Sequence, residues 1–271
     1  MAAEADTRAG VLLIDVGNTA LKWTLSPPGT AVPGGVDVIL HAGLPHFEAR
    51  LRAAASRLPE ATRAVGCSVA AAELNAMVDA VLRERGIEVE WLQSQPRYAG
   101  RIALVNGYRT PTQLGADRWH GLLGAASLLG PRSFVLIAAG TATTIDCVEA
   151  HDGGARFVGG CIAPGVRLML DALARRTAGL PLADGAAVEF PDNTDDAIMT
   201  GVIDSQAGLA IRVVARFAQR IGAAPSVLVS GGDAEPLAER LRGGGMAVAI
   251  AHNLVLAGLA LRASTPGETD R

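Results

Sequence analysis

Three stretches of this sequence hold residue types able to manage phosphate and a proton. In Asp15-Val16-Gly17-Asn18-Thr19-Ala20-Leu21-Lys22 an acid closes an apolar run and meets a glycine turn. Successive backbone N–H groups at Gly17, Asn18 and Thr19, with the Thr19 hydroxyl, can form a concavity for phosphate oxygens. Asp15, at the strand end, suits a hydrated Mg²⁺ riding on those phosphates, and Lys22 adds a point charge nearby. An ordinary hairpin with one solvated acid accounts for the same residues. In the second stretch, Gly140-Thr141-Ala142-Thr143-Thr144-Ile145-Asp146, an apolar run again meets glycine and a cluster of hydroxyls. The third, Gly115-Ala116-Asp117-Arg118, opens a predicted helix. An acid in a first helical turn is also what the helix dipole alone would favour.

Positioning these residues takes two hairpins and the elements that follow each. Val11 to Trp23 reads as a first hairpin, because four apolar residues lead into the turn and an alternating run leads out. Strands at Val36–Leu40, Thr62–Val69 and Ile87–Leu92 and helices at Pro45–Leu58 and Ala71–Arg85 follow. Gln93 to Arg109 reads as a polar, irregular connection, and Pro111 opens a long helix running to about Leu129. Gly121 and Gly124 fall on the face of Asp117 and leave room for a ligand or a neighbouring helix.

The second half repeats the order. A hairpin at Phe134–Val148 turns at His151–Gly154 into a strand at Arg156–Ile162, and a helix covers Gly165–Arg176. After a loop come a long helix at Thr194–Ile221, a strand at Val227–Ser230 and a short helix beyond Gly232. A strand at Ala247–Ile250 and a helix at Asn253–Arg262 close the chain. The expected class is α/β: two tandem ribonuclease-H-like domains, each a mixed sheet flanked by helices, with a cleft between them. Residues 11–130 and 131–263 form the two domains, with short tails at 1–10 and 264–271.

The bulk properties set limits. The chain has 271 residues, 49% hydrophobic and 19% charged, which fits a globular protein with a sizeable core. A net charge of −3 carries no electrostatic footprint for nucleic acid. No uninterrupted apolar run reaches bilayer length, and the first ten residues lack a signal-peptide core, so a cytoplasmic protein without a membrane segment is expected. Cys67, Cys147 and Cys161 lie far apart in apolar stretches and read as reduced and buried. Cys161, beside Gly160, is the one that invites a reactive role. There is no G-x-x-x-x-G-K-[ST] and no G-x-G-x-x-G after a first strand, which argues against P-loop and Rossmann schemes.

Four motifs in order carry a resemblance. They are Asp15-x-Gly17-Asn18-Thr19-x-x-Lys22, Gly115-Ala116-Asp117-Arg118, Gly140-Thr141-Ala142-x-Thr144-x-Asp146 and Gly159-Gly160-x-Ile162-x-Pro164-Gly165. Together they resemble the type III pantothenate kinases of the actin, Hsp70 and sugar-kinase superfamily, from about Val11 to Leu261. That family includes proteins named Bvg accessory factors. The resemblance implies ATP-dependent phosphorylation of pantothenate, the entry step to coenzyme A, with Asp117 as general base. It implies ATP phosphates held by Asp15, Gly17, Asn18, Thr19, Lys22, Thr143 and Thr144, with Mg²⁺ at Asp15. Tyr108, Gly115, Ala116, Arg118 and Thr194 match substrate-binding positions; Arg118 would anchor the acid end of pantothenate, and Thr194 also reads as a helix N-cap. Val229-Ser230-Gly231-Gly232-Asp233 would lie near the adenosine end. Relatives are homodimers, which the resemblance extends to this chain. Relatives often carry an acid two residues before the second-hairpin glycine, associated with K⁺ or NH₄⁺. This chain has Ala138 there, so a monovalent cation would need other ligands such as backbone carbonyls. A sugar kinase of the same superfamily and a non-enzymatic accessory protein acting through protein contacts are the alternatives.

Overall fold

In a computed structural model, residues 10–26, 35–41, 46–58 and 63–264 are described. The expected tails, the start of the predicted Pro45 helix and most of the loop after Ser26 therefore lie outside the described residues. The strands are β1 (Val11–Val16), β2 (Ala20–Ser26), β3 (Asp37–Leu40), β4 (Arg63–Ser68), β5 (Val89–Trp91), β6 (Arg97–Ala99) and β7 (Ala103–Asn106), then β8 (Phe134–Ala139), β9 (Ala142–His151), β10 (Gly154–Pro164), β11 (Ser226–Ser230) and β12 (Ala249–Ile250). The helices are α1 (Phe47–Ala55), α2 (Ala72–Arg83), α3 (Ala116–Leu129), α4 (Val166–Arg176), α5 (Thr194–Ile221), α6 (Ala234–Gly243) and α7 (Leu254–Ser264).

The two sheets share one strand order. The first runs β3-β2-β1-β4-β5, and the second contains the run β12-β11-β8-β9-β10. In each, three antiparallel strands form a meander, the fourth pairs parallel to its first strand, and the fifth pairs parallel to the fourth. The duplication expected from the hairpins thus extends to the elements that follow them, as ribonuclease-H-like domains require.

The chain divides into two compact units. One comprises residues 1–103, 109–128 and 253–271; the other comprises 104–108 and 129–252. Division of the sequence at residue 130 leaves the last helix with the second half, but α7 packs on β1 and β4 of the first unit. The sequence of β1 explains why. Leu12, Leu13 and Ile14 are all fully buried, so this strand is covered on both faces. Leu12, Ile14 and Val16 join Leu51, Val78 and Leu82 under α1 and α2. Leu13 joins Val65, Cys67, Ala116, Leu256 and Leu259 on the other face.

Two sequence expectations need correction. The segment Gln93–Arg109 is not wholly irregular, since it contains β6 and β7. Alternate residues Leu104 and Asn106 are buried, and β7 pairs parallel to β10. Pro111 does not open the long helix either. It begins a single 3₁₀ turn, Pro111–Gln113, that stops at Leu114 in extended conformation (ψ 127°). The helix restarts at Ala116, with Trp119 N–H donating to the Gly115 carbonyl at 3.0 Å. That restart puts Asp117 in a first turn of its own.

Candidate functional site

In the first unit, Asp15 faces the side of the sheet covered by α3 and α7, because it alternates with Leu13 and Val11. Lys22 is its cross-strand partner on β2, and Cys67 is its partner on β4. The turn beyond it is closed by Gly17 N–H donating to the Ala20 carbonyl at 3.0 Å. Asn18 and Thr19 are exposed at its tip. His41 fastens the turn from outside: its Nε2 lies 2.8 Å from the Gly17 carbonyl, and its N–H donates to the Thr19 carbonyl. Nothing in the sequence marked His41, because its role depends on where β3 ends beside β2.

Asp117 shares this environment. Burial pushes the Asp15 carboxyl from 3.8 up to about 7, with Lys22 opposing the rise and the Asp117 charge adding to it. Asp117 is itself raised, again by burial, against the Arg118 backbone N–H and the Arg118 charge. Cys67, fully buried, lies close enough to both acids that they add to the burial that lifts its thiol. These two carboxyls therefore belong to one apolar, partly enclosed site. The Arg118 N–H donates to Asp117 Oδ1 at 2.7 Å. Gly115 leaves the space for that carboxylate, since a Cβ there would sit 2.6 Å from Asp117 Oδ1. Ala116 packs into the apolar cluster below, and Arg118 is buried, not a surface arginine. Gly124 and Gly258 serve a helix crossing: a Cβ at Gly124 would meet the Leu254 carbonyl at 2.0 Å. The room along this face of α3 is thus filled by α7.

The second unit carries the other hairpin. Its turn is one residue shorter than the first, with Gly140 N–H donating to the Ala142 carbonyl at 3.2 Å and Thr141 exposed. Thr143 and Thr144 point to opposite faces of β9. Thr143 is buried on the face of Ile145 and Cys147, beneath α5 and α6. Thr144 lies with Asp146 on the other face, and its enclosed hydroxyl lacks a hydrogen-bond partner. Asp146 is buried, and Gly160 makes room for it, since a Cβ there would lie 2.2 Å from its Oδ1. Gly165 likewise seats against the turn, where a Cβ would lie 2.0 Å from the Gly140 carbonyl. Packing accounts for Gly160 and Gly165, while Gly159 sits in open space at φ +133°, a backbone conformation that favours glycine. Gly231, at φ +105°, passes the Ala139 carbonyl closely enough to exclude any side chain.

Tyr108 belongs to this unit, its ring 5.2 Å from that of Phe157. Thr194 is not the cap of α5; Asn193 is, its side chain accepting from the Asp196 N–H at 3.0 Å. Released from capping, Thr194 lines a cavity of about 730 Å³ with Met169, Leu173, Asp192 and Asn193. Among the described residues no three His, Cys, Asp or Glu side chains cluster to hold a metal ion. Asp15 still fits a divalent ion of the kind that takes one carboxylate and fills its shell with water and phosphate oxygens. A buried acid that resists ionisation gains most from a cation beside it.

Comparison with known proteins gives a consistent answer. The chain is 40% identical to a type III pantothenate kinase of Laribacter hongkongensis over 250 residues, covering 92% of this chain and 97% of that one. It is also 40% identical to the type III pantothenate kinase of Bordetella petrii, covering 94% and 98%. Among solved structures, a conserved putative Baf family transcriptional activator from Campylobacter jejuni superposes with a TM-score of 0.54 at 17% identity, covering 92% and 95%. A putative 2-dehydro-3-deoxygalactonokinase from Sinorhizobium meliloti gives 0.55 at 18%, covering 94% and 99%. These distant likenesses establish the fold alone, a mixed α/β fold with two sheets. The family model for type III pantothenate kinases matches residues 11–216, and the chain belongs to that family.

Proposed function

We infer that this chain is an ATP-dependent pantothenate kinase, moving a phosphoryl group to the primary hydroxyl of pantothenate to give 4'-phosphopantothenate. The observation that carries the reading is family membership across nearly the whole chain, with Asp15 and Asp117 together in one apolar site. Phosphoryl transfer asks the protein for positioning and charge stabilisation more than for covalent chemistry. In this scheme the Gly17–Thr19 and Gly140–Thr141 turns hold the ATP phosphates through backbone N–H groups, with Lys22 and Thr144 assisting. Mg²⁺ at Asp15 would neutralise charge developing on the transferred group. Asp117 orients the pantothenate hydroxyl and accepts its proton. Burial raises Asp117 towards the working pH, the direction in which a general base improves. Gly115 and Ala116 let the substrate approach, while Arg118, Tyr108 and Thr194 are assigned to the remainder of pantothenate.

The test is Asp117→Asn. Turnover, read as ADP release with pantothenate and Mg-ATP, is expected to fall by about 10²–10⁴-fold with a thermal midpoint that does not fall. Substantial residual turnover would remove Asp117 as the base, whereas no turnover by the wild-type chain would revive the accessory-protein alternative. Running the assay with and without potassium addresses the cation: with Ala138 in place of the acid, little activation is expected. A sugar panel in the same assay decides against or for the sugar-kinase alternative.

A cytoplasmic homodimer without nucleic-acid or membrane partners completes the proposal. Phe190 is 87% exposed, and Leu168, Leu182 and Ile211 are also exposed, which supports a covered face on the second unit. α5 is long and apolar enough to cross a membrane, but Val202, Ala210, Val213 and Phe217 are buried in its unit's core. Sedimentation of the purified chain reads the oligomeric state.

A further inference from the structure

Gln206, on α5, stands out because its amide is only half used. It is buried, its Nε2 donates to the Pro164 carbonyl at 2.7 Å and lies 3.0 Å from Met169 Sδ, and its Oε1 has no partner. The reverse amide orientation would set two oxygens against each other, so the donor assignment is fixed by chemistry. Packing alone does not account for this residue. An unsatisfied buried oxygen is costly, and a methionine would fill the same volume without it.

What the bond holds is informative. Pro164 ends β10 and has no N–H. Its carbonyl stands outside the α4 ladder, whose first bond runs from Met169 N–H to the Gly165 carbonyl. Gln206 supplies this carbonyl with a side-chain donor. The next residue, Gly165, donates its N–H to the Thr141 carbonyl at 3.0 Å and presses against the Gly140 carbonyl. One line of contacts therefore runs from α5 through Pro164 and Gly165 to the turn of the second hairpin.

We propose that Gln206 is a positioning residue that sets the Gly140–Thr141 turn in its nucleotide-holding geometry by fixing Pro164-Gly165 against it. This rests on the reading of that turn as a phosphate grip. Small displacements of a positioning backbone cost affinity out of proportion to their size.

The experiment compares Gln206→Met, Gln206→Glu and Gly165→Ala for KM of ATP, KM of pantothenate and thermal midpoint. Gln206→Met is expected to raise the ATP KM about fivefold, the weight of one buried hydrogen bond. The pantothenate KM should stay put and the thermal midpoint should not fall. A merely structural role would lower the midpoint and disturb both substrates together, and that outcome overturns the proposal, as does an unchanged ATP KM. Gln206→Glu provides a reading within one folded variant. Burial favours its neutral carboxyl, which can donate to Pro164, whereas the carboxylate formed as pH rises cannot. Relative to wild type, its ATP KM should be near normal at lower pH and raised at higher pH; a flat ratio counts against the proposal. Gly165→Ala separates two failures. If it raises the ATP KM and Gln206→Met does not, the positioning role is lost and the grip stands. If neither changes it, the phosphate reading of the turn is lost as well.

Discussion

Ionising Asp15 works against the unliganded fold. Its carboxyl titrates at about 7 in the folded chain against 3.8 for an ordinary aspartate. A raised folded value means that its stabilising contribution is full below 3.8 and is lost as pH rises through about 7. Asp15→Asn should therefore stabilise the apo protein at about pH 8 by up to about 4 kcal/mol, read as a higher thermal midpoint, with the gap closing towards about pH 4. Activity should collapse in the same variant, so stability and function would move oppositely. His120 supplies an opposing slope. Buried with only its Nδ1 bonded, to the Ala116 carbonyl, it titrates at about 4 instead of 6.5. That contribution is complete above 6.5 and is lost as pH falls towards 4. With Asp15 replaced, the acid side of the stability profile should steepen. An Asn variant no more stable than wild type at high pH would show that water reaches Asp15 freely. At this scale the sequence was readable where side-chain type and strand spacing suffice, as for Asp15 beside Lys22. It was silent on His41 and Gln206, whose partners lie far along the chain, and on the burial of Arg118.

The crossing of α3 and α7 fixes where Asp117 sits. A Cβ at Gly258 would lie 1.9 Å from the His120 carbonyl, against backbone that cannot rotate away. Gly258→Ala should force the helices apart, lowering stability by about 1–3 kcal/mol by chemical denaturation. Because α3 carries Asp117 in its first turn, kcat should fall in the fraction that remains folded. A variant with wild-type kcat and midpoint would mean that this contact does not position the acid. Element identity was legible for long periodic segments: α5 spans the predicted Thr194–Ile221 without change. It failed where local signals compete. Pro111 fits a first helical turn by propensity, yet the extended Leu114 interrupts the helix, a choice made by where Leu114 is buried. Thr194 and Asn193 are both good caps, and only the backbone geometry distinguishes them.

The duplicated strand order was legible because each copy repeats its own local pattern, but the ownership of the last helix was not. Hydrophobic periodicity says that α7 is buried and cannot say against what. It returns to the first unit, where Leu254, Leu256, Leu259 and Leu261 are all buried, Leu256 and Leu259 against the far face of β1 and β4. At about 1.5–3 kcal/mol per buried leucine, removing four of them forfeits about 6–12 kcal/mol. A whole domain typically has only about 5–15 kcal/mol to lose. Truncation after His252 is thus expected to unfold the first unit and spare the second, whose assigned residues end there. The readout is built into the composition. All three tryptophans, Trp23, Trp91 and Trp119, lie in the first unit, and Trp23 and Trp119 are fully enclosed. The truncated chain should show water-exposed tryptophan emission and no kinase activity while keeping the helical circular-dichroism signal of α4, α5 and α6. Native emission from the truncated chain would mean that β1 and β4 hold their far face without α7, and that the first unit is complete before the chain's last helix.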